Sequence, residues 1–478
     1  MTDVLGAGAV RGTLWLGLVN LVSKGSQVVV TLTLAAFLTE DGLGAVALAV
    51  AVVNIGQVVQ AMGVYDVIGR TAGDPDRVAA TVLTLSVAAG VALAAVLALA
   101  AGPLAALLGS PDAAPLLRLA ALSLPFTAAG GVQMALMHRR LDFRRRMLPD
   151  AGSAVLGAAL TVVLAAGGTG PVSLVAGLLC TAVAQPLLGA VVGVRPLAGW
   201  DAAAAGEALR WIAVVGPAAV VAILLVNVDY LAIGHVLGPA EVGVYSLAFR
   251  IAWVPYVVVA VVLAAVAFPV YARLVRADEE LPAAVARFTR AALVVCGGLY
   301  LVAGLLADHV VLLGSRWAPA APALVLLCAY GLGLGLLHTW YQALKAAGYA
   351  RRYLLLEVTH LVTLAGALVV VTRHGVVAVA AAQAVVAWVL VAVAWRALAR
   401  RGLAFPGAEL AGMAGGVLGA AVPCVAVALL ADRLLGPPAS VPATVAEALL
   451  LAATYAGASL LTQRAAVREL RALSGGTR

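Results

Sequence analysis

From residue 13 to residue 462 the chain reads as apolar runs about 20–28 residues long, separated by short breaks rich in Gly, Pro and Arg. An α-helix needs about 20 residues to cross the roughly 30 Å of membrane hydrocarbon, and the runs lack the alternating ten-residue pattern of a membrane strand. The pattern therefore predicts about fourteen transmembrane helices, at roughly 13–37, 43–69, 79–108, 113–137, 148–167, 171–194, 209–236, 241–270, 284–306, 319–344, 353–371, 376–395, 409–431 and 441–462.

The polar positions that interrupt these runs carry the chemistry. Lys24 lies about eleven residues into the first span, roughly 16 Å at 1.5 Å per residue, close to mid-membrane. An ammonium there costs about 2.5–3.5 kcal/mol on insertion scales and cannot snorkel to either surface. Asn20, Gln27 and Thr31 fall on the same helical face, so that face is polar through its depth and cannot point at lipid. It either hydrogen-bonds to neighbouring helices or forms the wall of a wet cavity, and we take the cavity reading. Asn54, Gln57 and Gln60 climb the second span in steps of three, as a continuation of that lining or as interhelical glue. Arg250 sits near mid-depth in the eighth span, with Asp229 at a similar depth in the seventh. The two form a buried ion pair, or Arg250 faces the cavity with Asp229 as its partner in one transport state. Asp66 is an i,i+4 partner for Arg70. Glu357 and His360 share a face of the eleventh span, as a structural pair or a proton-coupling pair.

The remaining basic residues set orientation. With the N-terminus inside, 24 of the 30 Lys and Arg fall in inside segments and only Arg118, Arg316, Arg373 and Arg433 at outside margins. By the positive-inside rule both termini are expected in the cytoplasm. The densest cluster, HRRLDFRRRM at 138–147, reads as a topology-setting loop beside anionic headgroups, with no nucleic-acid role.

The chain also repeats itself at an offset of about 200 residues. TEDGLGAVALA (39–49) parallels GPAEVGVYSLA (238–248), with Gly44 opposite Gly243, and LLGSPDAAPLLRLAAL (107–122) parallels LLGSRWAPAAPALVLL (312–327). The expected organisation is a six-helix lobe over 1–195, a cytoplasmic linker at 196–208, a second six-helix lobe over 209–400, and two further helices with a tail over 401–478. An even number of spans per repeat relates the lobes by a pseudo-twofold axis along the membrane normal.

Composition agrees: 64% of residues are hydrophobic, 11% charged, and mean hydropathy is +1.08, far outside the soluble range. The fold class is an all-α integral membrane protein. Cys180, Cys296, Cys328 and Cys424 each sit in apolar runs without ligand spacing, and read as buried small hydrophobes. A run of some 25 residues with Lys24 at its middle and no clear cleavage site argues against a cleaved signal peptide. Neither a Ser/His/Asp, nor a metal, nor a phosphate-loop constellation is found, so no catalytic residue, metal or cofactor is expected.

The short turns LTEDGLGAVALA and LGPAEVGVYSLAFRI, the LMHRRLDFRR segment and GTGPVSLVAG at the start of the sixth span resemble the Wzx-type polysaccharide biosynthesis proteins. These are lipid-linked oligosaccharide flippases of the multidrug/oligosaccharidyl-lipid/polysaccharide exporter superfamily. The resemblance runs from about residue 10 to 460 and lies in turn and packing motifs. It implies two six-helix lobes around a central cavity, alternating access by rocking, and transport of an undecaprenyl-pyrophosphate-linked sugar to the outer leaflet of a bacterial cytoplasmic membrane. Two mid-membrane cations, Lys24 and Arg250, suit a substrate with two phosphate charges, and amides such as Asn54 and Gln57 suit its sugars. The expected partners are the polyprenyl-pyrophosphate-linked glycan and membrane lipid, with polysaccharide-assembly proteins as further candidates. A cation-coupled drug exporter of the MATE type shares the fold but favours acidic cavity residues. A membrane sugar polymerase or ligase favours long outside loops, whereas the longest here is about a dozen residues.

Overall fold

In a computed structural model the chain is described at residues 26, 29–61, 64, 67–68, 74–140, 142–277, 279–436 and 440–462. Thirteen helices among the described residues are long and apolar enough to cross a membrane, and they coincide with the second to fourteenth predicted spans. Of the first span only 26 and 29–37 are described, with 29–37 helical. The architecture is all-α, as a hydrocarbon medium demands of any open chain: each backbone N–H and C=O must find its partner within its own segment. The long helices are α1 (Glu40–Ala61), α2 (Pro75–Leu107), α3 (Ala113–Ala121), α4 (Ser123–Arg139), α5 (Ser153–Ala166), α6 (Val172–Val191), α7 (Ala202–Leu237), α8 (Pro239–Pro255), α9 (Val261–Arg276), α10 (Leu281–Leu305), α11 (Ala320–Ala346), α12 (Ala350–Val371), α13 (Val376–Ala399), α14 (Gly407–Leu435) and α15 (Val441–Thr462). Helices α3 and α4 together make one span, and α8 continues into α9 through a wide π-type turn, Tyr256–Ala260.

The chain forms two compact units, Met1–Ser246 and Leu247–Arg478. In the first, α2 starts with Asp74 capping the Asp76 N–H (3.0 Å) and Pro75 in the first turn, where its missing donor costs nothing. The segment after α6 lies along α2: Thr84 Oγ1 bonds both the N–H and the C=O of Gly199, and Asp201 pairs with Arg77 at 2.5 Å while its carboxylate caps α7. Gln133 ties α4 to α6 by donating to the carbonyls of Pro186 and Val194.

The two turns matched by the internal repeat meet in this unit. Gly238, at φ 90°, ends α7 in a conformation open to glycine and starts α8. The first turns of α1 and α8 then cross so closely that a methyl group on Gly44 would overlap the Pro239 carbonyl, and one on Gly243 the Glu40 carbonyl. The contact is reciprocal, which is what a pseudo-twofold axis through the crossing produces. Small residues at such crossings substitute backbone packing for the hydrophobic drive that lipid cannot supply.

The second unit is built around α11, flanked by α9, α10 and α13. Its core holds Trp340 and Leu337, both fully buried, with Tyr271, Val285, Leu390 and Ala394. The Trp340 indole N–H donates to Thr289 Oγ1 at 2.8 Å, and Thr289 donates on to the Val285 carbonyl. The last two helices pack on α10. Arg290 pairs with Glu409 at 2.8 Å, Tyr455 donates to the Val294 carbonyl, and His309 meets Thr444 and Glu447.

Two outcomes follow for stability. Gly44→Ala forces the α1–α8 crossing apart and costs about 1–3 kcal/mol, read as a fall in detergent melting temperature, whereas Gly102→Ala, which faces open space, leaves the melting temperature level or higher. Thr289→Val strands the Trp340 N–H in the core and lowers stability by about 1–2 kcal/mol, while Thr289→Ser retains the wild-type value in the same melting assay.

Candidate functional site

Lys24, Asn20 and Gln27, the polar face expected in the first span, lie outside the described residues, as do Asp66 and Arg70. The face expected in the second span lies within the described residues, and it divides. Gln60 is buried and donates from Nε2 to Thr127 Oγ1 at 2.7 Å, so it joins α1 to α4. Asn54 and Gln57, two turns and one turn earlier, are half-buried and make no side-chain hydrogen bond among the described residues.

Asp229 is wholly buried on α7. Its carboxylate accepts from the Tyr245 hydroxyl at 2.6 Å and from the Tyr230 N–H at 2.9 Å, and the two tyrosine rings meet edge to face. Tyr245 is absent from the sequence-predicted site: nothing in its sixteen-residue separation from Asp229 marks the pair as neighbours until α7 and α8 are laid side by side. Arg250 is half-buried further along α8, in the second unit.

Sequence reasoning also missed a polar and aromatic cluster inside the second unit. Phe249, Trp253 and Tyr256 follow one another at i, i+4 and i+7, and their rings form a ladder with centroids 5.1 and 4.5 Å apart. The ladder ends in the π-type turn after Pro255, a wider backbone than the α-helix it interrupts. There the Tyr256 hydroxyl meets His338 Nδ1 of α11 at 3.2 Å. His338, Tyr341 and Lys345 stand at i, i+3 and i+7 on α11, and Tyr353 and Glu357 stand four apart on α12. Tyr341 meets Tyr353 edge to face at 5.3 Å, and the Lys345 ammonium lies 4.7 Å above the Tyr353 ring.

Glu357 is within electrostatic reach of Lys345, Tyr341, Tyr353 and Tyr256. Among the described residues, however, its carboxylate has neither an ion pair nor a hydrogen bond, and no bond joins it to His360. His360 is itself buried, with Nε2 unpartnered. Lys345, read from sequence as one more loop cation, is the group nearest in character to a partner for Glu357.

The arginine loop is partly neutralised by its own neighbours. Arg140 pairs with Asp76 at 2.7 Å, Arg145 with Asp142 at 3.4 Å and Arg146 with Asp150 at 3.1 Å, while Arg139 donates to the Ile68 carbonyl. Among the described residues no group of three or more His, Cys, Asp or Glu is placed to hold a metal ion.

The fold is shared with solved transporters. The lipid II flippase MurJ in an inward closed conformation superposes with a TM-score of 0.75 over 96% of this chain and 99% of its own, at 12% identity. An inward-facing multidrug resistance MATE family transporter of the MOP superfamily superposes with a TM-score of 0.67 over 81% of this chain and 98% of its own, at 18% identity. In sequence the chain is 29% identical over 355 residues to the succinoglycan biosynthesis transport protein ExoT of Rhizobium meliloti (strain 1021), covering 73% of this chain and 71% of that one. It is 23% identical over 333 residues to the lipopolysaccharide biosynthesis protein WzxC of Escherichia coli (strain K12), covering 68% and 67%. Residues 33–322, more than half of the chain and both of the turns that meet at Gly44 and Gly243, match the polysaccharide biosynthesis protein family, and the chain belongs to that family.

Proposed function

We propose that this protein is a flippase that carries a polyprenyl-pyrophosphate-linked oligosaccharide from the cytoplasmic to the outer leaflet of a bacterial cytoplasmic membrane. The observation that carries this reading is the family match over residues 33–322, supported by two relatives whose names place them in succinoglycan transport and lipopolysaccharide biosynthesis. The chain's own chemistry agrees. A pyrophosphate that leaves headgroup water needs positive charge and donors along its path, and Lys24 and Arg250 supply the charge. Asn54 and Gln57 add amides without hydrogen-bond partners among the described residues. The polyprenyl tail has no need of a site, because it stays in lipid while the head crosses.

Access alternates as the two repeats rock about their shared axis. Polysaccharide-assembly enzymes would supply the substrate on one face and consume it on the other. A drug exporter of the MATE type would want a carboxylate exposed in the first repeat to hold its cationic cargo. The mid-membrane charge that the first repeat offers is Lys24.

Orientation is tested by labelling. A cysteine at Arg144, which is exposed, resists a membrane-impermeant thiol reagent outside intact cells, while one at Thr39 reacts. The opposite pattern inverts the topology.

Transport is tested in liposomes loaded with lipid-linked oligosaccharide from the source bacterium, scoring accessibility of the glycan on the far leaflet. Lys24→Arg retains the rate within about threefold, because charge survives. Lys24→Ala and Lys24→Glu lower it at least about tenfold, the effect of about 1.4 kcal/mol lost at the barrier, with unchanged amounts of folded protein. Wild-type activity in a well-folded Lys24→Ala protein removes that lysine from the path, and uptake of cationic dyes without glycan flipping favours the exporter reading.

A further inference from the structure

The cluster on α8, α11 and α12 has a composition that neither packing nor phosphate binding explains. Trp253 is half-buried at the centre of a ring ladder, with its neighbours Phe249 and Tyr256 both buried. One flat apolar surface is thus held rigidly and left partly open.

The polar groups around it are under-used. The Tyr341 hydroxyl is buried with no hydrogen-bond partner. The Lys345 ammonium rests on a ring face and the Glu357 carboxylate has no direct partner among the described residues, though each is within electrostatic reach of the other. At membrane depth an unsatisfied hydroxyl or carboxylate is costly. If these groups served packing alone, the lysine and glutamate would close into a salt bridge. Among the described residues they do not.

We propose that this cluster is a subsite for the sugar rings of the transported substrate, with Trp253 as the stacking platform. The inference rests on the flippase reading above and names the part of the substrate that the second unit holds. A sugar ring has one face of C–H groups and an edge of hydroxyls, and each hydroxyl both donates and accepts. The C–H face packs on the exposed indole. The hydroxyl edge accepts from Lys345 and Tyr341 and donates to Glu357 and to the free side of His338. One ammonium and one carboxylate leave the site without net charge, which suits a neutral polyol better than a pyrophosphate or a cationic drug. The widened turn at Tyr256 gives the ring ladder an end at which a bulky head can sit beside the helix.

The test uses full-length protein in membranes of the source bacterium, with photoreactive benzoylphenylalanine at Trp253, at Tyr353, or at the exposed Leu355 on the opposite side of α12. After irradiation, vicinal diols on the purified protein are oxidised with periodate and tagged with a hydrazide. Light-dependent carbohydrate at Trp253 or Tyr353 is expected at ten times or more the level at Leu355. A parallel measurement in liposomes compares the extracted lipid-linked oligosaccharide with the same lipid trimmed to its first sugar. Wild type and Trp253→Phe favour the full glycan, whereas Trp253→Ala and Glu357→Gln lose that preference while still moving the trimmed lipid. Equal tagging at all three positions, or an unchanged preference in folded Trp253→Ala, overturns the subsite and leaves the flippase reading standing. Wild-type protein that moves neither lipid overturns both.

Discussion

Hydrocarbon cannot hydrogen-bond, and the organisation of this protein follows from where that leaves its polar groups. Backbone amides are satisfied by making every span a helix. Several side-chain N–H groups that fall within spans donate across helix pairs, as Gln133 does to two carbonyls, Gln60 to Thr127 and Trp340 to Thr289. These bonds do the work that apolar burial does in water, since a leucine gains little by exchanging lipid for a neighbouring leucine. The groups left over are informative because leaving them over is costly: Asn54 and Gln57 in one unit, Glu357, Lys345 and Tyr341 in the other.

The same constraint explains what could be read from sequence. Span positions were legible because a run of about 20 apolar residues has a single structural meaning in a membrane protein, and the described helices follow those runs. Gly44 and Gly243 were legible as repeat partners. That they touch was not, because a sequence match states equivalence and says nothing of contact. Polar residues were recognised on their own helices by i, i+3 and i+4 spacing, which is how Asn54, Gln57, Glu357 and His360 were found. The same arithmetic treats Glu357 and His360, three apart and so about 60° apart around the helix, as sharing a face, and no bond joins the two among the described residues.

Aromatic residues were harder still. Trp253 and Tyr256 look like ordinary membrane hydrophobes in a run of Val and Ala, and Tyr245 carries no sign of its bond to Asp229. A tyrosine's role depends on where its hydroxyl ends, about 6.5 Å from its Cα, and that is a property of the neighbouring helix. The i, i+4, i+7 order of Phe249, Trp253 and Tyr256 was a usable signal. It acquires chemical meaning only when α11 and α12 bring His338, Lys345 and Glu357 to the same place.

The distribution of charge separates two tasks that an amphiphilic head imposes. A pyrophosphate demands net positive charge, and on the proposed reading Lys24 supplies it, from an apolar run, 13–37, whose sequence holds no Asp or Glu. Sugars demand the reverse, a neutral surface with matched donors and acceptors, because net charge would hold counter-ions and water that the glycan would then have to displace. In the proposed subsite Lys345 and Glu357 would provide such a surface while remaining apart. Their separation would also keep that site reversible: a closed salt bridge would leave no donor or acceptor to offer, and an isolated charge would hold a phosphate too tightly to release. A transporter must bind its cargo and let it go in the same cycle, so modest, balanced polarity spread over several side chains serves it better than one strong contact.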